Sequence, residues 1–242
     1  MEGRQAVREL LRAGRRPVRQ LYIAEGATFS EALEEIADLA AAAGVAVRRV
    51  GRDRIDAMAG TDSPQGVVAV ADPVREWDLE ELIGRPDPFL VVLDGVTDPH
   101  NLGAVMRSAL CAGATGLVLG RHRAASLSPS AVKAAAGAVE HLPVAPVAGV
   151  PAALKLLREA GVWTVGLDSD GPTPLWELAV ATEPLALVLG AEGRGLSALA
   201  RSRCDVVASI PLAGPLQSLN VSAAAALACF EVARGRAQAE HN

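Results

Sequence analysis

Four short apolar runs in the second part of the chain constrain its fold more than any other feature. Phe-Leu-Val-Val-Leu-Asp at 89–94, Gly-Leu-Val-Leu-Gly at 116–120, Trp-Thr-Val-Gly-Leu-Asp at 163–168 and Leu-Ala-Leu-Val-Leu-Gly at 185–190 are continuous and bounded by turn residues. A strand with one wet face alternates apolar and polar residues, whereas a strand covered on both faces does not. Helical patterns fall between and after these runs, at about 102–112, 130–136, 152–160, 197–203 and 218–233. Strands separated by helices predict an open parallel sheet in an α/β domain. Ahead of it, residues 1–72 read as a smaller α/β unit of three helices and three strands. A helix over Ala6–Ala13 stops at Gly14, and strands are expected at Gln20–Ala24, Val45–Val50 and Gly66–Ala71. Ser30 is a plausible N-cap for a helix running to Gly44, with Glu31, Glu34 and Glu35 in its first turns, where carboxylates suit the helix dipole. Residues 73–88, rich in proline and charge, are expected to be a linker with a short helix near Leu79–Ile83, and 89–242 the second domain.

Half of the residues are hydrophobic but only 3% are aromatic, so the core must be closely packed Ala, Val and Leu. No stretch approaches the roughly 18 apolar residues of a membrane-spanning helix, and the N-terminus lacks an apolar signal core. Cys111, Cys204 and Cys229 are scattered and odd in number, which speaks against a disulfide framework or a zinc site. The expectation is a cytoplasmic protein without a metal. A net charge of −5 excludes a protein that coats nucleic acid indiscriminately. The charge is nonetheless uneven: residues 1–20 hold six arginines and two glutamates. Arg4, Arg8 and Arg12 recur every fourth residue and share one helix face, with Val7, Leu10 and Leu11 opposite. A second basic run comprises Arg48, Arg49, Arg52 and Arg54. A phosphate-binding face and a solvated charged surface both account for these patterns.

Ligands of open parallel sheets bind beyond the carboxyl ends of the strands, and three strand ends here carry unusual polar and glycine content. The first is Asp94 followed by Gly-Val-Thr-Asp-Pro-His-Asn-Leu-Gly-Ala-Val-Met-Arg, in which Asn101 opens a helix bearing Arg107. The second is Leu-Gly-Ala-Glu-Gly-Arg-Gly-Leu, where Gly190, Gly193 and Gly195 surround Glu192. It matches neither the dinucleotide fingerprint nor the phosphate loop, and a glutamate would repel phosphate. The third runs from Ser209 and Ile210 through Pro-Leu-Ala-Gly-Pro-Leu-Gln to Ser218, Leu219 and Asn220, with Ser218 a plausible N-cap of the last helix and Asn220 one turn inside. A helix cap, a tight turn and close helix packing explain parts of each segment. They leave Glu192 and Asn220 without a reason, because asparagine is a poor interior helix former. Among the histidines His100 is the one placed suggestively. His122, His141 and His241 have no partner pattern, and Cys111 reads as a helix-packing residue.

Taken together and in this order, Thr-Asp-Pro-His-Asn-Leu-Gly-Ala-Val-Met-Arg-Ser-Ala, Leu-Gly-Ala-Glu-Gly-Arg-Gly-Leu and Ile-Pro-Leu-Ala-Gly-Pro-Leu-Gln-Ser-Leu-Asn-Val-Ser resemble the three motifs of the SpoU/TrmH branch of the SPOUT methyltransferases. Gly-Arg-Gln-Ala-Val-Arg-Glu-Leu-Leu near the start and Pro-Gln-Gly-Val-Val-Ala at 64–69 resemble that family's small RNA-binding domain, similar to ribosomal protein L30e. Within the family the likeness is nearest to bacterial enzymes that methylate a guanosine of 23S rRNA. One departure is Pro64, where relatives often carry histidine before Gln-Gly-Val.

The resemblance implies a C-terminal domain tied into a trefoil knot, a rare exception to unthreaded chain connections. It also implies a homodimer and S-adenosylmethionine held by the main chain at Gly190, Ile210 and Leu219. The implied reaction is methyl transfer to a ribose 2′-hydroxyl, with Arg107, Asn101, Glu192, Ser218 and Asn220 in the site and Arg4, Arg8 and Arg12 toward RNA. The family assigns Arg107 to the hydroxyl, even as a base assisted by an RNA phosphate. A guanidinium holds its proton at neutral pH, so clamping the adjacent phosphate and stabilising the developing alkoxide is the physically easier role. A tRNA ribose methyltransferase and a knotted, non-catalytic RNA-binding assembly factor are the competing readings. A dinucleotide-binding oxidoreductase fails on the missing glycine fingerprint.

Overall fold

Each apolar run becomes a strand of one parallel sheet. The computed structural model describes residues 1–26, 30–121, 124–239 and 241, so His122 lies outside the described residues. The large sheet contains β4 (Phe89–Asp94), β5 (Gly116–Gly120), β6 (Val144–Val147), β7 (Trp163–Leu167), β8 (Thr173–Pro174), β9 (Leu185–Gly190) and β10 (Val206–Ser209). Their order is β6-β5-β4-β9-β7-β10-β8, and every pairing is parallel. Strands β6 and β8 escape the sequence reading for physical reasons. Val-Ala-Pro-Val carries Pro146, which lacks the N–H of a ladder donor and suits the sheet edge it occupies. Strand β8 is only two residues long.

Side-chain alternation divides the core between the two faces of this sheet. Phe89, Val91 and Leu93 point to one side, where α5 (Pro99–Cys111), α6 (Pro129–Ala134) and α9 (Val221–Ala239) pack. Leu90 and Val92 point to the other, beneath α4 (Leu79–Ile83), α7 (Val150–Glu159) and α8 (Ala198–Arg203). The connector is therefore not a free tether, since Leu79 and Leu82 are buried in the core of the large sheet. The cores are aliphatic, as the scarcity of aromatics requires. At about 25 cal/mol per Å² of apolar surface, such burial is the dominant stabilising term.

The N-terminal unit consists of α1 (Arg4–Ala13), β1 (Val18–Ala24), α2 (Glu31–Ala42), β2 (Val47–Val50), α3 (Arg52–Met58) and β3 (Val67–Ala71). Its sheet order is β2-β1-β3, with β1 parallel to β2 and antiparallel to β3. Ser30 caps α2 by accepting the Leu33 N–H at 3.3 Å. Val7, Leu10 and Leu11 form the buried stripe of α1. The arginines opposite find partners inside the chain. Arg8 reaches Glu35 at 3.3 Å, and Arg12 pairs with Glu35 and with Glu9. Arg4 donates to the Gln65 carbonyl and the Ser30 hydroxyl.

The two units are docked through a fork-shaped ion pair. Arg16 Nε and Nη2 meet the two oxygens of Glu140 at 3.0 and 2.6 Å, and only 2% of the Glu140 side chain is exposed. His141 faces Glu9 at 3.1 Å beside it. Gly137, at φ 94°, permits this approach: a Cβ there would lie 2.4 Å from that of Glu9.

Two helix starts correct the sequence reading. Helix α5 begins at Pro99, capped by Asp98, which accepts the His100 N–H at 3.0 Å; Asn101 therefore lies within the first turn rather than opening the helix. Proline suits the first helical position because no partner is needed for its missing N–H. Helix α9 begins at Val221, so Ser218 is not its cap and Asn220 is not one turn inside. Asn220 sits directly before the helix and accepts the Ser222 N–H at 2.8 Å.

Candidate active site

The three unusual strand ends converge on one side of the large sheet. After β9, residues 191–195 form a narrow loop closed by paired backbone hydrogen bonds between Ala191 and Gly195 at 3.0 and 2.8 Å. Its glycines have distinct reasons. Gly193 and Gly195 take φ of 76° and 65°, which favours glycine, whereas a Cβ on Gly190 would lie 2.0 Å from the Gly195 carbonyl carbon. The loop raises Glu192 toward α5.

Asn101 donates from Nδ2 to Glu192 Oε2 at 3.2 Å, and Asn220 donates from Nδ2 to Asn101 Oδ1 at 3.1 Å. The amide orientations follow from the chain of donors. Asn220 Oδ1 already accepts the Ser222 N–H and, at 2.6 Å, its hydroxyl, so that atom must be oxygen. Its Nδ2 then faces an acceptor on Asn101, which turns the Asn101 NH₂ toward the carboxylate. Residues 91 and 119 positions apart in sequence are thereby linked, and Asn101, 8% exposed, is one of the few polar groups in the core.

Beside this relay lies a cavity of about 370 Å³. Gly190, Glu192, Ile210, Ser218 and Leu219 all line it, with Leu167 and Leu189 supplying further apolar wall. The sequence reading missed Asp168 and Asp170, which also line it. The signal was available: Trp-Thr-Val-Gly-Leu-Asp ends at the same edge of the sheet as the three motifs, and an acid followed by Ser-Asp-Gly makes a polar turn there. Asp168 accepts the Asp170 N–H at 3.1 Å. Asp168, Asp170 and Glu192 outnumber Arg194 on the wall and Arg201, which pairs with Asp168 at 3.4 Å, and this small acidic excess disfavours a phosphate and favours a cationic ligand.

Arg107 stands exposed on α5, outside the cavity wall, and has no carboxylate partner among the described residues. His100, in the first turn of the same helix, is exposed as well. Cys204 and Cys229 are no nucleophiles, since burial pushes both thiols up to about 12. Among the described residues no three acidic, histidine or cysteine side chains are grouped to hold a metal ion.

Comparison with known proteins agrees with this geometry. Residues 88–230 match the SpoU rRNA Methylase family, and residues 1–77 match the RNA 2′-O ribose methyltransferase substrate binding model. The chain belongs to the SpoU rRNA methylase family. It is an S-adenosylmethionine-dependent RNA 2′-O-methyltransferase. The 23S rRNA (guanosine-2′-O-)-methyltransferase RlmB of Pseudomonas putida is 38% identical over 239 residues, covering 97% of this chain and 95% of that protein. An uncharacterized tRNA/rRNA methyltransferase of Mycolicibacterium vanbaalenii is 40% identical, over 98% of this chain and 76% of its own length. The SpoU methyltransferase AviRb from Streptomyces viridochromogenes, solved with the cofactor AdoMet, superposes with a TM-score of 0.80 at 30% identity, covering 98% of this chain and 89% of that one.

Proposed function

We propose that this enzyme methylates the 2′-hydroxyl of a guanosine in 23S rRNA, with the cofactor in the cavity between β7, β9 and residues 210–221. The observation that carries this reading is the Glu192–Asn101–Asn220 relay, which ties all three motif segments together at the cavity rim. The cavity suits the cofactor chemically. Leucine and isoleucine walls with exposed main chain fit an adenine, and Asp168, Asp170 and Glu192 suit a sulfonium and an ammonium. Gly190, Ile210 and Leu219 are the proposed main-chain contacts. When bound, the cofactor supplies a methyl group already activated by its positive sulphur.

The residues of the chain then orient and polarise. Asn101, Glu192, Ser218 and Asn220 order the ribose and the two loops by hydrogen bonding. Alignment of the oxygen with the methyl carbon provides much of the acceleration. Arg107, without an acid partner among the described residues, clamps the adjoining phosphate and stabilises charge growing on the 2′-oxygen, which leaves the hydroxyl proton to water.

The enzyme is proposed to act as a cytoplasmic homodimer, its C-terminal domain knotted. Residues 211–220 are exposed throughout, with Leu216 at 77%, and α9 shows Leu227 and Phe230 to solvent at 43% and 51%. A second copy is the proposed cover for this apolar face. The proposed domain limits remain 1–72 and 89–242. Arg4, Arg8 and Arg12 are proposed RNA contacts that act only by exchanging Gln65, Glu35 and Glu9 for phosphate.

Methyl transfer from labelled cofactor to deproteinised rRNA and tRNA, assayed separately and followed by mapping of the modified ribose, tests the substrate. Label at a 2′-O-methylguanosine of 23S rRNA is expected. Transfer to tRNA alone would favour the competing enzyme reading.

A further inference from the structure

A second opening lies on the other side of Asn101. A groove of about 680 Å³ separates the N-terminal unit from α5 and α6, and its wall includes His100, the neighbour of Asn101 in the chain. Of the three non-glycine residues with positive φ among those described, two line this groove: Gln65 at 56° and Ala136 at 49°. Such backbone is unfavourable for an L-residue and persists where surroundings hold it, often at ligand sites. Gln65 is held by Arg4, whose backbone N–H reaches Oε1 at 2.9 Å. That contact turns the Gln65 NH₂ the opposite way, with no partner among the described residues.

Lys133 supplies the charge. Its ammonium donates to Thr61 Oγ1 at 2.9 Å and to the Ser63 carbonyl at 2.5 Å, both neutral oxygens of the facing unit. An ammonium has three donors, so one is left over, and no carboxylate lies within ion-pair distance of it among the described residues. Arg8 and Arg12 of α1, by contrast, are neutralised by Glu35 and Glu9. This cation is also singular in kind: the chain has two lysines, and the other, Lys155, pairs with Glu159 on α7.

We propose that this groove is a subsite for the RNA strand flanking the reacting nucleotide, with Lys133 contacting a backbone phosphate and the Gln65 amide a sugar or base edge. The proposal rests on the RNA-methyltransferase reading and specifies how the strand passes between the two units to reach Asn101. The groove suits a strand rather than a free nucleotide, because it is open and sets its one cation among neutral hydrogen-bonding groups, with Glu2 of the same wall taken up by the Gly60 N–H and the Thr61 hydroxyl and Asp62 exposed to solvent.

The two-lysine composition provides a direct test on the unaltered protein. Amine acetylation is followed at Lys133 and Lys155 by mass spectrometry, with and without deproteinised 23S rRNA. Slowing of Lys133 by several-fold, with Lys155 unchanged, is expected; no slowing at Lys133, or equal slowing at both, overturns the proposal. In parallel, Lys133→Met should lower the salt dependence of RNA binding by about one counterion, and Lys133→Arg should restore it. Thr61→Val, which removes a brace and keeps the charge, should leave that dependence unchanged; a loss matching Lys133→Met makes Lys133 a structural tie only. Methyl transfer by the unaltered protein separates the two failures. Transfer without protection of Lys133 refutes the groove alone, and protection without transfer to any RNA refutes the enzymatic reading.

Discussion

The N-terminal and C-terminal units put their conspicuous side chains to different uses. In the first, Arg8, Arg12 and Arg16 meet Glu35, Glu9 and Glu140, so the cations that stand out in the sequence largely hold helices and units together. In the second, the conspicuous residues are glycines and neutral amides, and their hydrogen bonds link three distant segments around an open acidic cavity. A row of like charges on one helix reveals nothing about what faces it. Odd residues at several strand ends of one sheet do point to a shared site, because topology brings those ends together.

The largest effect expected from breaking this contrast is at the join. Glu140→Ala leaves the Arg16 guanidinium, on a side chain only 13% exposed, without its fork partner, and should destabilise the protein by about 3–5 kcal/mol in urea denaturation. Cofactor affinity should hold, since the cavity draws no wall from the N-terminal unit. Loss of cofactor binding in a folded variant would show that the two units are not separable in function.

How much of this was legible in the sequence follows from the same contrast. The central strands β4, β5, β7 and β9 were plain because burial on both faces demands an uninterrupted apolar run. The edge strand with Pro146 and the two-residue β8 leave no such trace. Glu192, Asn101 and Asn220 were visible as misfits, but their mutual contacts were not, since residues 119 positions apart meet only through the fold. Asn220 looked like an interior helix residue because the alanine run after it gives no sign of where the first turn begins. Asp168 was overlooked because a strand-terminal acid has an ordinary explanation as a turn residue. The charge pattern on α1 was read correctly as one face, while Glu35, on another helix, could not be seen from it.

A smaller effect sharpens the comparison within the N-terminal unit itself. Arg48, Arg49, Arg52 and Arg54 are exposed and have no ion-pair partners among the described residues, unlike Arg8 and Arg12. Replacing Arg48 and Arg49 by alanine should reduce the salt dependence of RNA binding by about one to two counterions. Replacing Arg8 and Arg12 should reduce it by less than one, because those two must give up Glu35 before they can hold phosphate. Equal reductions from the two pairs would erase the distinction.

The proposed cofactor site is the cavity at the strand ends. Calorimetric titration of S-adenosylmethionine into the unaltered protein, Gly190→Ala and Arg107→Ala tests it most directly. The unaltered protein and Arg107→Ala are expected to bind with the same affinity, although the latter transfers no methyl group. Gly190→Ala, whose added Cβ would meet the Gly195 main chain at 2.0 Å, is expected to bind at least tenfold more weakly. Full binding by Gly190→Ala together with loss of binding by Arg107→Ala would contradict it, placing the cofactor at α5 instead.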